Sequence, residues 1–366
     1  MYCPNCKADL VSDAVSCTGC GAVFGADAAW KPVLDPSAKP VPDSSPGFNW
    51  KWLLVGAIYG VAARVLYGAL PAGFHGAMSA AFLLGTPFVV GALSVYGTAA
   101  ARPGVFQMLV TPLLPTVLML FGTAITLLEG SICIAIMAPL FLGIASFGGL
   151  CMGLTLKFFR VSKSGINAFA ALPLLLLVHD QIPLPDTFHE LRETIVINAP
   201  AHVVWSKIVT AQDIKADELP LSIVHLIGVP KPVQAINKQT PQGEVRFSQW
   251  DKGVRFSALV VDRRQFQTIT WRYKFDQDSF PPGTMDEHVV IGGKYLDLGD
   301  TTFNLSPTAG GDTKLEVVAR YRLSTSVNFY AGPVSRILGQ YFLRTLLGFY
   351  KQRSERAISG TKKPGD

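Results

Sequence analysis

Glu193-Thr194-Ile195-Val196-Ile197-Asn198-Ala199-Pro200-Ala201-His202-Val203-Val204-Trp205 is the stretch from which the architecture of the polar half of the chain is read. Period-two alternation over Thr194 to Asn198 predicts a strand that stops at Ala199-Pro200. Pro200 then opens a helix over 201–210, because its fixed φ suits a helix start and its missing N–H would have no partner there anyway.

Downstream the alternation continues. Strands are expected over 234–239, 244–250, 253–262, 268–275, 287–298, 301–306 and 314–324, separated by turn chemistry such as Asp251-Lys252-Gly253 and Ala309-Gly310-Gly311-Asp312. A long helix over 329–358 follows, with Ile337, Tyr341, Phe342 and Phe349 on its apolar face. One strand, a short helical stretch, a run of antiparallel strands and one long helix make an α+β layout in which a curved sheet wraps a helix.

This half resembles the SRPBCC superfamily, the START-like, helix-grip proteins that include polyketide cyclase/dehydrase and lipid-transport families. The likeness is carried by Glu193 to Trp205, by Asp251-Lys252-Gly253-Val254-Arg255-Phe256 and Ile269-Thr270-Trp271-Arg272, and by Thr313 to Ser324 ahead of the long helix. It implies an elongated hydrophobic cavity between sheet and helix. The residues agree in part: alternation puts Ile269, Trp271, Tyr273 and Phe275 on one strand face and Leu315, Val317, Ala319, Tyr321 and Leu323 on another. Two readings of those faces stand, a filled core and a ligand cavity. For the cavity the candidate ligand-binding residues are Arg255, Trp271, Tyr273, His288, Tyr295, Tyr321 and Arg336, with Asp286, Arg320 and Tyr330 as further polar candidates. GxSxG, HExxH, P-loop and GxGxxG patterns are missing, so no catalytic residue is assigned.

Upstream the composition changes. The chain is 49% hydrophobic and 16% charged, too greasy for one soluble globule. Five apolar segments are read as membrane spans, over 48–70, 78–101, 105–128, 131–156 and 166–178, the last short for a crossing of about 30 Å. Lys51, Arg102, Lys157, Arg160 and Lys163 all fall in loops on one side, which the positive-inside rule makes cytoplasmic. If the fifth segment spans, the C-terminal domain emerges outside the cytoplasm, in the periplasm; if it does not span, the domain is cytoplasmic. Arg64 and Glu129 are charges embedded near span ends toward one leaflet; either they pair with each other, or Arg64 snorkels to the headgroups while Glu129 sits in the Glu129-Gly130-Ser131 hairpin.

At the N-terminus, Cys3-Pro4-Asn5-Cys6 and Cys17-Thr18-Gly19-Cys20 give two C-x2-C knuckles, the spacing of tetrahedral zinc coordination by Cys3, Cys6, Cys17 and Cys20. Four sulfurs leave no open position, so the zinc is expected to be structural. The segment resembles short zinc ribbons at the head of many bacterial membrane proteins. Asp9, Asp13 and Asp27 outnumber Lys7, and a four-thiolate centre is anionic, so nucleic acid is not expected and a protein contact is. The net charge of +6 is spread over the chain ends with no dense basic stripe.

The expected organisation is a zinc ribbon over 1–25, a Pro/Ser-rich linker over 26–47, a transmembrane bundle of about five α-helices over 48–180 and a helix-grip domain over 187–360. The expected function is a multi-pass membrane protein whose START-like domain binds a hydrophobic, lipid-like molecule, in contact with membrane lipids. Two alternatives are carried: a membrane-bound cyclase/dehydrase-type enzyme using His288 or Asp286, and a sensor relaying ligand occupancy to a cytoplasmic partner of the ribbon.

Overall fold

A computed structural model describes residues 3, 6, 8–10, 16–23, 50–70, 75–98, 104–158, 171, 173 and 183–359. The chain divides into two compact units, Met1–Asn49 and Trp50–Asp366. In the first, an antiparallel bridge between Ser16 and Val23 and the bonds Cys3 N–H to Ala8 O (2.8 Å) and Cys17 N–H to Ala22 O (2.7 Å) fold two tight turns. The expected linker lies outside the described residues.

The second unit begins with a helical bundle: α1 (Lys51–Gly68), α2 (Thr86–Thr98), α3 (Val105–Val110), α4 (Leu113–Ile125) and α5 (Ser131–Phe158). Among the described residues three helices are long and apolar enough to cross a membrane, Ala81–Thr98, Val105–Ile125 and Ser131–Phe158, where five spans were expected along the chain. The first expected span is the 18-residue helix α1, but Lys51 and Arg64 within it dilute its apolarity. The fifth lies outside the described residues apart from Ala171 and Pro173. The bundle closes through small residues. At Gly149 of α5 the Met108 carbonyl comes so near that a Cβ would collide with it, which is what a small residue contributes between apolar helices.

After the bundle the chain forms β1 (Asp186–Ile197), α6 (Ala201–Val209), β2 (Thr210–Ala211), the single turn α7 (Ile223–Leu226), β3 (Pro232–Thr240), β4 (Gly243–Trp250), β5 (Arg255–Arg264), β6 (Thr268–Lys274), β7 (Leu296–Pro307), β8 (Thr313–Ser324) and α8 (Asn328–Ser359). One antiparallel sheet results, in the order β1-β8-β7-β6-β5-β4-β3-β2. It curls around α8, an arrangement that fits a helix-grip fold. Leu343, Leu347, Phe349 and Tyr350 of α8 share a buried cluster with Trp271, Phe303, Leu315 and Val317 of the sheet.

One expected strand is corrected. Residues 287–295 are not extended, and β7 starts only at Leu296, continuing through an irregularity between Leu298 and Thr301 to absorb the separate strand expected over 301–306. A turn closed by Val289 N–H to Asp286 O (3.0 Å) occupies the start of 287–295, and Gly292, with a φ of +81°, adds a second that carries the backbone away from the sheet. The segment it releases packs against the bundle instead.

Candidate functional site

The far end of the helix-grip interior is solid. Trp271, Ile269, Leu315, Val317, Leu347 and Phe349 are all essentially inaccessible to solvent. Arg246 of β4 is buried among them, its guanidinium 4.6 Å above the Trp271 ring. It donates to Ile208 O (2.7 Å), Asn237 Oδ1 (3.0 Å) and Tyr350 Oη (3.3 Å), acceptors that replace water around a charge with no carboxylate partner among the described residues. The buried Trp271 Nε1 has no hydrogen-bond acceptor among the described residues, an exception to the usual pairing of buried donors. Next to this set, burial raises the pKa of the Tyr273 phenol above the usual tyrosine value.

Toward the bundle the interior is looser and aromatic. Phe342 of α8 stacks on Trp250 at 5.6 Å, Trp250 meets Phe256 at 5.4 Å, and Phe256 lies 5.9 Å from Tyr273, which stacks on Phe275 at 6.0 Å. All five side chains are only half-buried. They form an apolar row that runs from α7, where His225 packs edge-on against Phe342 at 6.2 Å, to the Arg246–Trp271 pair.

Of the residues singled out from the sequence, Trp271, Tyr273 and Tyr321 therefore belong to the grip interior. Tyr321 stacks on His189 at 5.2 Å and shares a 3.0 Å hydrogen bond with Ser335 of α8. Arg255 and Arg336 are exposed. Arg320 is also exposed and pairs with Glu190. His288, Tyr295, Asp286 and Tyr330 sit together elsewhere, at the junction of the domain with the bundle. Arg246 was not anticipated, although β4 alternation places Arg246, Ser248 and Trp250 on one face.

The junction is polar and specific. Asp286 accepts hydrogen bonds from the backbone N–H groups of Gly130 (2.5 Å) and Cys133 (2.9 Å), at the start of α5. That is an N-terminal cap supplied by a residue 156 positions away. Arg64 and Glu129 do pair, and Arg64 also donates to Leu128 O at 2.8 Å. His288 Nε2 lies 3.9 Å from the same Glu129 carboxylate. Arg64, Met119, Thr123, Glu129, Cys133 and His288 share the lining of a cavity of about 20 Å³, the room one water needs. Tyr295 donates to His75 O (3.4 Å), Ser326 to Met78 O (2.8 Å), Tyr330 to Ile136 O (2.6 Å) and Ser131 to Ile227 O (2.8 Å). Gly228, with φ +118°, lets this last contact form: its missing side chain would meet Ser131 Oγ at 2.8 Å.

In the N-terminal unit the sulfurs of Cys3, Cys6, Cys17 and Cys20 all lie within 4.8 Å of one another and could hold a metal ion. The Ala8 amide pulls the Cys6 thiol down, but bonds from Cys17, Cys20 and Cys3 and some burial outweigh it and push it up to about 12. Four thiols crowded together resist ionisation, and a dication reverses that balance by binding thiolates.

No protein-family model and no curated protein matches the chain. Among solved structures it is similar to a START superfamily protein from Mycobacterium smegmatis, at 14% identity over 46% of this chain and 99% of the other, with a TM-score of 0.32. It is also similar to the di-domain ARO/CYC BexL from the BE-7585A biosynthetic pathway, at 14% identity over 52% and 59% with a TM-score of 0.30, and to Ara h 8.0201, at 14% over 47% and 99% with a TM-score of 0.29.

Proposed function

We propose that the chain is a membrane protein whose helix-grip domain takes an apolar, lipid-like ligand between sheet and α8, with the domain held on the end of a membrane bundle. The observation that carries this is the half-buried aromatic row Phe342, Trp250, Phe256, Tyr273 and Phe275, ending at a buried arginine and an indole N–H without an acceptor. An apolar lining with a few polar groups at its end is the usual make-up of a small-molecule site. The ligand's tail lies along the rings and its polar end meets Arg246 and Trp271.

The membrane part of the reading is supported by the bundle's outer surface, where Phe106, Phe121, Ile125 and Phe147 are exposed apolar side chains, a pattern that suits lipid rather than water. Lys51 and Lys157 lie at the end of the bundle away from the docked domain, since α1 separates Lys51 from Arg64 by about 20 Å and α5 separates Ser131 from Lys157. With basic residues retained in the cytoplasm, the domain faces the extracytoplasmic side and the cysteine cluster, loaded with structural zinc, faces a cytoplasmic protein. The fifth expected span, over 166–178, lies outside the described residues apart from Ala171 and Pro173. Asp286 and His288 have other partners, α5 and Glu129, so the enzyme reading has less to draw on.

The sensor reading draws on one further contact. Val327, at the entry to α8, is buried in the bundle's own cluster, and Tyr330 packs against it, so a shift of α8 on ligand binding acts directly on membrane helices. The test is photolabelling of the full chain in nanodiscs with a diazirine-bearing phospholipid. Crosslinks to peptides carrying Phe256, Tyr273 or Phe275 support the reading, and labelling confined to α1–α5 removes it.

A further inference from the structure

We propose that the helix-grip domain rests on the bilayer itself through Leu221, Leu226 and Phe329, which with Leu127 of the bundle's α4–α5 turn form an apolar rim, a lipid contact separate from the ligand row. Leu127 and Leu221 are each 89% exposed, Leu226 69% and Phe329 68%; single exposed apolar residues are ordinary, and it is the position of these four that sets them apart.

Their positions select the partner. Leu226 ends α7 and precedes Ile227, whose carbonyl is bonded to Ser131 at the first residue of α5. It is thereby held at the level where a membrane helix enters the headgroup region. Leu127 occupies the turn between α4 and α5 at that same level and has a left-handed φ of +54°, a conformation that disfavours a branched side chain. The turn thus keeps a leucine pointed away from the protein despite the backbone it needs. Phe329 is more deeply placed. Its neighbour Tyr330 donates to the carbonyl of Ile136, the sixth residue of α5, and Val327 on its other side is buried in the bundle. The first turn of α8 is therefore sunk below the headgroups, and an exposed ring between two embedded residues has acyl chains as its surroundings. Leu221 lies in the segment that leads into α7 and Leu226.

The surface is continuous with the contact between domain and bundle, which commits it to the bilayer those helices cross. It also has a functional consequence. Leu226 lies beside His225, which touches Phe342 at the start of the aromatic row, so a lipid leaving the outer leaflet at the rim reaches the row without passing through water.

This inference rests on the membrane reading above, and the experiment separates the two. The full chain, one copy per nanodisc of phosphatidylcholine and phosphatidylglycerol, is exposed to hydroxyl radicals and side-chain oxidation is read by mass spectrometry. Single occupancy excludes shielding by a second copy. Phe121 and Ile125 on α4 report the membrane, and the exposed Val196 and Val261 on the sheet report solvent. The expected result is that Leu127, Leu221, Leu226 and Phe329 lose oxidation as fully as Phe121 and Ile125 do. If the four are oxidised while Phe121 and Ile125 stay protected, the rim is wrong and the membrane reading stands. Oxidation of Phe121 and Ile125 as well overturns both.

Discussion

The carboxylate of Asp286 accepts the backbone N–H of Gly130 at 2.5 Å, so a residue of the helix-grip domain completes the N-terminus of α5. A helix start leaves four N–H groups without intrahelical partners, and an anion there also meets the positive end of the helix dipole. Asp286 to Asn keeps a weaker acceptor and removes the charge. It should cost about 1 kcal/mol and speed amide exchange in the first turn of α5 and in residues 284–295, while β1 and β8 exchange as before. Unchanged exchange in both segments would contradict the capping role.

Arg64 and Glu129 are both about nine-tenths shielded and paired. Removing one partner of a buried pair strands the other charge, for a loss of about 3–5 kcal/mol. Arg64 to Met and Glu129 to Leu should each lower the thermal midpoint sharply, and the double variant should recover most of the loss. Additive losses in the double-mutant cycle would show that the two side chains act independently.

Trp271 is fully buried in the closed half of the grip. Trp271 to Ala should destabilise the domain by about 3–5 kcal/mol, read by denaturant unfolding monitored on β-sheet amides. A loss below about 1 kcal/mol would mean that the site collapses around the gap or is not packed.

His189 gives a pH dependence whose sign follows from its surroundings. Burial first, and the positive charge of Arg336 second, hold its pKa below the ordinary value of 6.5. The unfolded chain then takes up the proton before the folded one, so this contribution to stability is complete above pH 6.5 and is lost as pH falls from there toward the folded pKa. The thermal midpoint should drop on acidification below pH 6.5, and His189 to Gln should flatten that slope. An equal slope in the variant would assign the titration to another group.

Metal removal should act on one unit only. A structural zinc site supplies folding free energy on the order of 10 kcal/mol, and the cysteine cluster lies in Met1–Asn49, apart from Trp50–Asp366. Chelation or Cys17 to Ser should raise exchange in the first 25 residues to the unfolded rate and leave α8 unchanged. Protection of those residues after chelation would rule out a metal-dependent fold.

Much of the helix-grip half could be read from period-two alternation, because each strand keeps one face on a shared core: Ile269 and Trp271, or Leu315 and Val317, are inward as expected. The long helix was legible from its apolar face. What failed was non-local. Residues 287–295 contain the β-branched run Val289-Val290-Ile291, yet their backbone turns to meet the bundle, and nothing near them in sequence signals Gly130 or Glu129 as partners. The first apolar segment was read as a span equal to the others although Arg64 is built into a buried pair. Arg246 was passed over because a charged residue in a strand reads as outward, and only its alternation with Ser248 and Trp250 pointed in.

The most direct measurement is the identity of what the domain holds. The protein, purified in a mild detergent, washed free of loose lipid and extracted with organic solvent, is compared by mass spectrometry with Phe342 to Glu, which puts a charge into the aromatic row, and with Val261 to Glu on the exposed sheet face as a control. The account predicts an apolar molecule with a polar end, near one per chain, in the wild type and the control and its loss in Phe342 to Glu. Extracts that hold no such molecule, or the same amount from Phe342 to Glu, would contradict it.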